Sequence, residues 1–354
     1  RVSFDQRGTD ENGMYKSVVN SNMQPIMQAF DVKAYNRDSV TNTRFTVIEM
    51  TDFIAGDNDV LFFNTGTKTS LQLGMLQADK SFTQTVNSYP LNIEIKTVKT
   101  YGRAASPLAI TGGFGGGSRA STFTLELNSS VLLLPKTPAK ARYFDPRVGY
   151  FTRRLTDFDA NPQGVKEIQM AVRRKLEPKE EDIEKYKRGE LVEPKNPIIY
   201  YIDPATPKKW VKYLMQGVDD WQPAFEKAGF KNAIMGKLAP TKKEDSTWSL
   251  EDARFSAIVY KPSEVANASG PNVHDPRSGQ ILESHINWYH NVMSLLRNWY
   301  FVQTAAVDPG AHAMVFDDAL MGELIRFVSS HEVGHTLGLR HNYGSSSTVP
   351  VDSL

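Results

Sequence analysis

The chain of 354 residues is long enough for about two domains, each with its own hydrophobic core. Apolar residues make up 40% of it and charged residues 23%, proportions that exclude a disordered or low-complexity protein. The net charge of +1 gives no global attraction to nucleic acid, so we predict no nucleic-acid partner. No apolar run approaches the roughly 18 residues of a membrane span, so we predict no transmembrane segment. Because the sequence contains no Cys, disulfides, thiolate zinc ligands and cysteine nucleophiles are also excluded.

Short β-branched and alternating runs, broken by turn residues, dominate the first half of the chain. This pattern predicts antiparallel β structure. The runs are Phe45–Met50, Val60–Phe63, Leu91–Val98 and Ser121–Leu127. The glycine-rich stretch Gly112–Ser118 lacks the Gly-Lys-Ser/Thr ending of a phosphate-binding loop, so we interpret it as a loop tip. We predict that residues 1–170 form a β-rich N-terminal domain of unknown role.

The pattern of apolar residues changes after a dense stretch of charged residues. We interpret residues 171–196 as an exposed charged linker. Beyond it, the periodicity predicts strands around a long amphipathic helix, whose aromatic stripe, including Trp221, we assign to core packing. The predicted strands are Ile198–Ile202, Ala233–Leu238, Phe255–Tyr260 and Ile281–Tyr289, and the predicted helix covers Thr206–Ala228. The predicted fold class is therefore α+β.

A second helical pattern starts near Asp317 or Asp318 and runs into the sequence His331-Glu332-Val333-Gly334-His335, which matches HExxH. Four residues turn an α-helix by about 400°, so the two histidines project from one face and can reach the same metal ion. The carboxylate of Glu332 can lie beside that metal and hold a metal-bound water. This spacing predicts a metal site on the helix.

The motif extends to HExxHxxGxxH. Gly338 can adopt the left-handed conformation that ends a helix, which would bring His341 back to the metal as a third ligand. Other zinc sites take a later Glu or Asp instead, but no Glu follows Glu332, and the only later Asp, Asp352, lies in a segment without helical pattern. We therefore predict a Zn²⁺ site with Glu332 as the catalytic residue. Its predicted ligands are His331, His335 and His341.

The motif resembles that of the metzincin clan of zinc endopeptidases, and the predicted strands and long helix before it resemble the N-terminal subdomain of that clan. A closer resemblance is to a bacterial met-zincin domain family, whose members are exported and carry a domain of unknown function before the catalytic one. The segments that carry it are Trp221–Phe225, His274–Gly279, Asn298–Gln303 and His341–Asn342. The resemblance implies a zinc metalloprotease domain at residues 197–354 and an extracytoplasmic location: periplasmic, at the outer surface or secreted.

The sequence departs from the clan pattern in two places. Asn342 is not the Glu, Asp or Pro that follows the third His in the best-known branches, so their substrate preferences are not transferred. The clan places a Met-containing turn after the third His, whereas residues 342–354 contain no Met. We therefore expect a catalytic domain that is truncated before the Met-turn and lacks the C-terminal subdomain.

Motif and resemblance together imply a zinc-dependent endopeptidase that hydrolyses peptide bonds with a zinc-bound water activated by Glu332. The clan resemblance places an extended protein or peptide substrate along Ile281–Tyr289. We interpret the two histidines that flank this strand, His285 and His290, as surface or core residues. Two alternatives stay open: a latent or non-proteolytic zinc-binding protein, and a zinc hydrolase of a non-peptide amide or ester. An intact Glu332 beside all three ligands favours an enzyme.

Overall fold

The computed structural model describes residues 13–21, 26–103, 121–158, 161 and 163–348. It has the predicted α+β fold class, with a β-rich N-terminal region. The chain divides into two compact units, of which the first contains Val19–Leu133 and the second contains Leu134–Leu354 together with the described residues up to Val18. The stretch Gly112–Ser118, predicted to be a loop tip, lies outside the described residues.

Antiparallel strands form most of the first unit. In chain order, the elements up to residue 133 are α1 (Gly13–Ser21), β1 (Val32–Arg37), β2 (Arg44–Ile48), α2 (Thr51–Ala55), α3 (Thr65–Ser70), β3 (Leu73–Leu76), β4 (Phe82–Ser88), β5 (Asn92–Arg103) and β6 (Thr122–Leu132). Strand β5 is antiparallel to β3, β4 and β6, and β1 pairs with β2. The predicted strands at residues 45–50, 91–98 and 121–127 are confirmed as β2, β5 and β6.

Lys99 on β5 connects this sheet to α2. The residue is 1% exposed, and its Nζ donates hydrogen bonds to the carbonyl oxygens of Ile54, Ala55 and Gly56 at 2.8, 2.6 and 2.9 Å. The last carbonyl groups of a helix have no donor within the helix, so the ammonium group satisfies them and complements the helix dipole.

The predicted strand Val60–Phe63 is wrong, because this segment is a turn. The side-chain oxygen of Asn58 accepts a hydrogen bond from the Leu61 N–H at 2.9 Å, and its amide nitrogen donates to the Phe53 carbonyl at 2.6 Å. Local bonds of this kind close a turn and compete with strand pairing. An apolar run alone did not reveal this competition.

A five-stranded sheet is the centre of the second unit. Its elements are β7 (Thr152–Asp157), β8 (Lys166–Ala171), β9 (Arg173–Arg174), α4 (Ile183–Lys187), β10 (Ile198–Ile202), α5 (Lys208–Asp219), α6 (Gln222–Lys227), β11 (Ile234–Leu238), β12 (Ser256–Lys261), β13 (Ala268–Ser269), β14 (Val273–His274), β15 (Gln280–Glu283), β16 (His285–Tyr289), α7 (Val292–Thr304), α8 (Asp318–Thr336) and α9 (Ser345–Thr348). The strand order is β11-β10-β12-β16-β13, and all neighbours are parallel except β13, which is antiparallel to β16. Smaller sheets join β7 with β8, and β14 with β15 and β9.

Helices α5 and α8 pack closely against each other. Gly217 makes this approach possible, since a Cβ atom there would lie 2.5 Å from the Ser329 Cβ and 2.6 Å from the Arg326 carbonyl oxygen. The Ser329 hydroxyl donates to the Leu214 carbonyl at 2.9 Å. The position of α8 therefore depends on a glycine and a small polar residue at the helix contact.

We expect Gly217→Ala to destabilise the second unit, because the added methyl group meets backbone and must push the two helices apart. Overpacking of this kind costs roughly 1–3 kcal/mol. Thermal unfolding of the full chain measures this loss of stability. Gly164→Ala is the control, since its Cβ would meet nothing closer than 3.4 Å. Equal melting temperatures for the two variants would contradict the prediction.

The predicted helix Thr206–Ala228 consists of two helices, α5 and α6. They separate at Trp221, because Pro223 at the start of α6 has no N–H with which to continue the hydrogen bonding of α5. Gly229 follows α6 with a φ of +91°, as expected for a residue that ends a helix. Within the described ranges, no helix combines the length and apolar character that crossing a membrane requires.

The predicted strand Ile281–Tyr289 is also divided, into β15 and β16, which belong to different sheets. The break falls at Ser284, which is 1% exposed and whose N–H donates to the Ser256 hydroxyl at 3.1 Å. At Ser284 the backbone N–H thus bonds to a side-chain oxygen of Ser256 and not to a carbonyl group of a neighbouring strand. The chain passes at this residue from the sheet of β15 to the sheet of β16. Alternation of residue types continues across the break, so the sequence did not indicate it.

The charged stretch at 171–196 is folded into the second unit. β9 runs parallel to β15, α4 follows, and Val192, which is 2% exposed, forms a parallel bridge with Phe230. The division between the two units, at residue 133, thus differs from the boundary at residue 170 suggested by the sequence. The physical reason is that β8 leads directly into Val172 and β9, which pair within the second unit.

Candidate metal centre

Helix α8 begins at the predicted place. Asp317 is its N-cap, and its carboxylate accepts hydrogen bonds from the N–H groups of Ala319 and Leu320 at 2.9 and 2.8 Å. Such a cap satisfies N–H groups that lack an acceptor in the first turn. The helix continues through His331 and His335, which therefore lie one turn apart on one face, as the motif predicts.

The three predicted ligands converge. The Nε2 atom of His341 lies 3.1 Å from Nε2 of His331 and 3.1 Å from Nε2 of His335. One nitrogen of each ring lies within 4.8 Å of the others, a spacing that could hold a metal ion. A tetrahedral zinc ion with nitrogens at about 2.0–2.1 Å needs those nitrogens roughly 3.4 Å apart. The donor set and its spacing thus fit zinc.

In two of the three rings, His335 and His341, the nitrogen that faces away from the triad contacts a protein oxygen, which leaves Nε2 available. Nδ1 of His335 lies 2.9 Å from the Leu339 carbonyl oxygen and can donate to it, which places the lone pair on Nε2. The Tyr343 hydroxyl lies 3.2 Å from Nδ1 of His341. Burial lowers the pKa of His331, and its two neighbouring histidines lower it further. The neutral form thereby favoured is the form that binds metal.

Glu332 places a carboxylate next to the triad. The residue is 6% exposed, and its Oε2 is buried without a hydrogen-bond partner within the described part of the chain. Burial raises the pKa of this carboxyl, while His335 and the N–H of Gly270 act in the opposite direction. A buried carboxylate oxygen that lacks a donor can accept a proton from a water molecule or other ligand at the site.

The turn after α8 returns the chain to the metal site. Gly338 has a φ of +106°, which confirms the predicted need for a glycine there. A Cβ atom on Gly338 would also lie 2.0 Å from the Val172 carbonyl oxygen. Glycine is therefore required both by the backbone conformation and by the close approach of another segment, and only the first reason was visible in the sequence.

Trp221 has a role at the site that the sequence did not reveal. Its Nε1 donates to the Ser330 carbonyl at 2.8 Å, directly before the first histidine. A Cβ atom on Gly334 would lie 2.9 Å from the Trp221 ring. The indole thus fixes α8 at the motif itself and does more than fill the core. The sequence did not reveal this role, because Trp221 and Ser330 are 109 residues apart.

The strand predicted to bind the substrate is not the edge strand of its sheet, because β16 pairs with β12 on one side and, at Asn287 and Trp288, with β13 on the other. The edge strand is β13, in which Ala268 pairs with Trp288 and Ser269 with Asn287. The next residue, Gly270, lies against α8: a Cβ atom there would be 2.4 Å from the Glu332 carbonyl oxygen. The sequence analysis did not predict β13, because a strand of two residues is too short to show an alternating pattern.

The four other histidines have local partners and lie outside the triad. His285 and His290, which flank the predicted strand, contact the Phe255 carbonyl at 3.3 Å and the Tyr260 hydroxyl at 2.7 Å through ring nitrogens. His274 contacts the Asn272 side chain, and His312 contacts the Ala305 carbonyl. Each ring is held by local structure.

Comparison with protein families gives a match at each end of the chain. Residues 1–179 match the domain of unknown function DUF5117, and residues 313–354 match the Met-zincin family, whose matched range includes α8 and all three histidines. No curated protein and no solved structure matches the chain significantly. The resemblance stated from the sequence motifs is thereby confirmed. The chain belongs to the DUF5117 family and carries a Met-zincin domain.

Proposed function

We propose that this protein is a zinc-dependent endopeptidase. One observation carries the proposal: three imidazole Nε2 atoms converge, and Oε2 of the neighbouring Glu332 is buried without a hydrogen-bond partner among the described residues. Three protein ligands with a fourth position left for water or substrate are typical of catalytic zinc, whereas structural zinc sites are closed by four protein ligands. The Met-zincin match over residues 313–354 supports the same chemistry.

His331, His335 and His341 would hold the zinc. When bound, zinc polarises the scissile carbonyl group and lowers the pKa of a water molecule to about 7. Glu332 would accept a proton from the attacking water and deliver it to the leaving amine. Its burial raises the carboxyl pKa, which makes it a stronger base than an exposed glutamate.

We propose that the substrate binds along β13. An extended peptide can add to an exposed sheet edge through backbone hydrogen bonds. In the central sheet, β13 is the terminal strand next to β16. Gly270 lies directly after it, and its N–H bonds to Glu332. A peptide on this edge would lie next to the proposed base, which supports β13 in place of the buried β16.

The proposal is tested by incubating the full chain with an unfolded protein, with and without a zinc chelator, and identifying the products by mass spectrometry. We expect cleavage that the chelator abolishes and that added zinc restores. Zinc binding without cleavage of any protein would favour a non-proteolytic zinc protein. Activity on small amides or esters alone would favour the non-peptide hydrolase. Cleavage that persists in the absence of metal would contradict the zinc mechanism.

We further propose an extracytoplasmic location. The support for this location is the resemblance to a family of exported proteins. The absence of Cys does not favour one compartment over another. Fractionation of cells that produce the native protein tests this. Recovery in the cytoplasm alone would contradict it.

A further inference from the structure

A short segment from the DUF5117 part of the chain lies against the loop that carries the third ligand. We name Gly149–Phe151 the strap. The Phe151 N–H donates to the Gly338 carbonyl at 2.7 Å, and the Arg340 N–H donates to the Gly149 carbonyl at 2.6 Å. Between these two bonds, Tyr150 and Leu339 form an antiparallel bridge. The strap thus pairs with the three residues that come just before His341.

The strap also contacts the second ligand. The Phe151 ring lies 6.0 Å from the His335 ring, centroid to centroid, at an interplanar angle of 53°. Because Nδ1 of His335 bonds to the Leu339 carbonyl, the ring is held between the strap and the loop with which the strap pairs. Two of the three predicted ligands therefore depend on the same few residues.

Val172, which follows β8, contacts the strap. The Val172 N–H donates to the Phe151 carbonyl at 2.8 Å, and the Arg173 N–H donates to the Gly279 carbonyl at 2.9 Å. The Val172 carbonyl oxygen fills the space where a side chain on Gly338 would be. Val172 thus contacts both the strap and the loop at 338–340.

The third ligand needs such support. His341 is exposed and lies beyond the end of α8, so the helix that orders the other two histidines does not order it. A loop residue loses conformational entropy when it is fixed, and a metal that had to order the loop would bind more weakly. Backbone pairing with the strap fixes the loop in advance.

We infer that the strap is a positioning element of the metal centre, so that the DUF5117 part of the chain helps to bind the metal. This inference rests on the proposed zinc site. Phe151 positions His335 through ring contact, and the strap backbone positions His341 through residues 338–340. All three strap residues lie within the 1–179 range of the DUF5117 match, outside the Met-zincin range.

The test compares zinc affinity in full-length variants, measured by competition with a fluorescent chelator. We expect Phe151→Ala to weaken zinc binding about tenfold, the scale on which groups that orient metal ligands act. Phe151→Tyr keeps the ring and should retain near wild-type affinity. Phe301→Ala is the matched control, because Phe301 is 43% exposed, close to the 38% of Phe151, and lies 6.3 Å from the ring of a histidine outside the triad, His312.

A second variant addresses the backbone. Phe151→Pro removes the N–H that bonds to Gly338, and we expect a larger loss of zinc affinity than for Phe151→Ala. The melting temperature of each variant without metal shows whether the fold is kept. Wild-type affinity in Phe151→Ala, or an equal loss in Phe301→Ala, would overturn the inference while leaving the zinc site intact. A wild-type chain that binds no zinc would overturn both the inference and the proposed function.

Discussion

Glu332→Gln should leave zinc bound while reducing peptide hydrolysis by a factor of about 10²–10⁴. The amide has nearly the same shape as the carboxylate but cannot accept a proton at neutral pH. The three imidazoles are untouched, so the metal remains. Turnover of an unfolded protein substrate and zinc content per chain, both measured on the same preparation, check the two halves of this prediction.

Glu323→Gln is the matched control for this experiment. Glu323 lies on the same helix, but its side chain is 59% exposed and pairs only loosely with Arg326, at 3.4 Å. An exposed pair of this kind contributes little to stability. We expect wild-type turnover from the control. A Glu332→Gln variant that cleaves as fast as the control would remove Glu332 from the mechanism and leave the metal site standing.

Gly338→Ala should weaken zinc binding by roughly 100-fold and destabilise the second unit. The new Cβ atom would lie 2.0 Å from the Val172 carbonyl oxygen, a backbone atom with no flexible end that could move away. The positive φ of the residue adds strain. Overpacking and strain together cost about 3 kcal/mol, which corresponds to a drop of about 10 °C in melting temperature.

Gly344→Ala provides the comparison, since it lies on the other side of His341 and its Cβ would meet only the Asn342 side chain, at 3.6 Å. Zinc competition and thermal unfolding of both variants separate a local clash from a general intolerance of the loop. Equal zinc affinities in the two variants would contradict the close approach of Val172 to Gly338.

The metal helix was predictable because its signals are local. The cap at Asp317, the histidine spacing and the glycine at 338 all lie within one helix and the turn that follows it, where sequence distance and spatial distance agree. The predictions that failed depend on distant partners. Whether Ile281–Tyr289 is an edge strand depends on β13, and the role of Trp221 depends on a carbonyl group of another helix.

The strap and its support have a consequence for how the chain can be dissected. A fragment that starts at residue 180, immediately after the DUF5117 match, would contain α8 and all three histidines but would lack Gly149–Phe151 and Val172. It would also expose β15, which loses its neighbour β9. A fragment that starts at Leu134 keeps every one of these contacts. The sequence-family boundary is thus a poor place to cut, because it passes between the metal ligands and the residues that hold them.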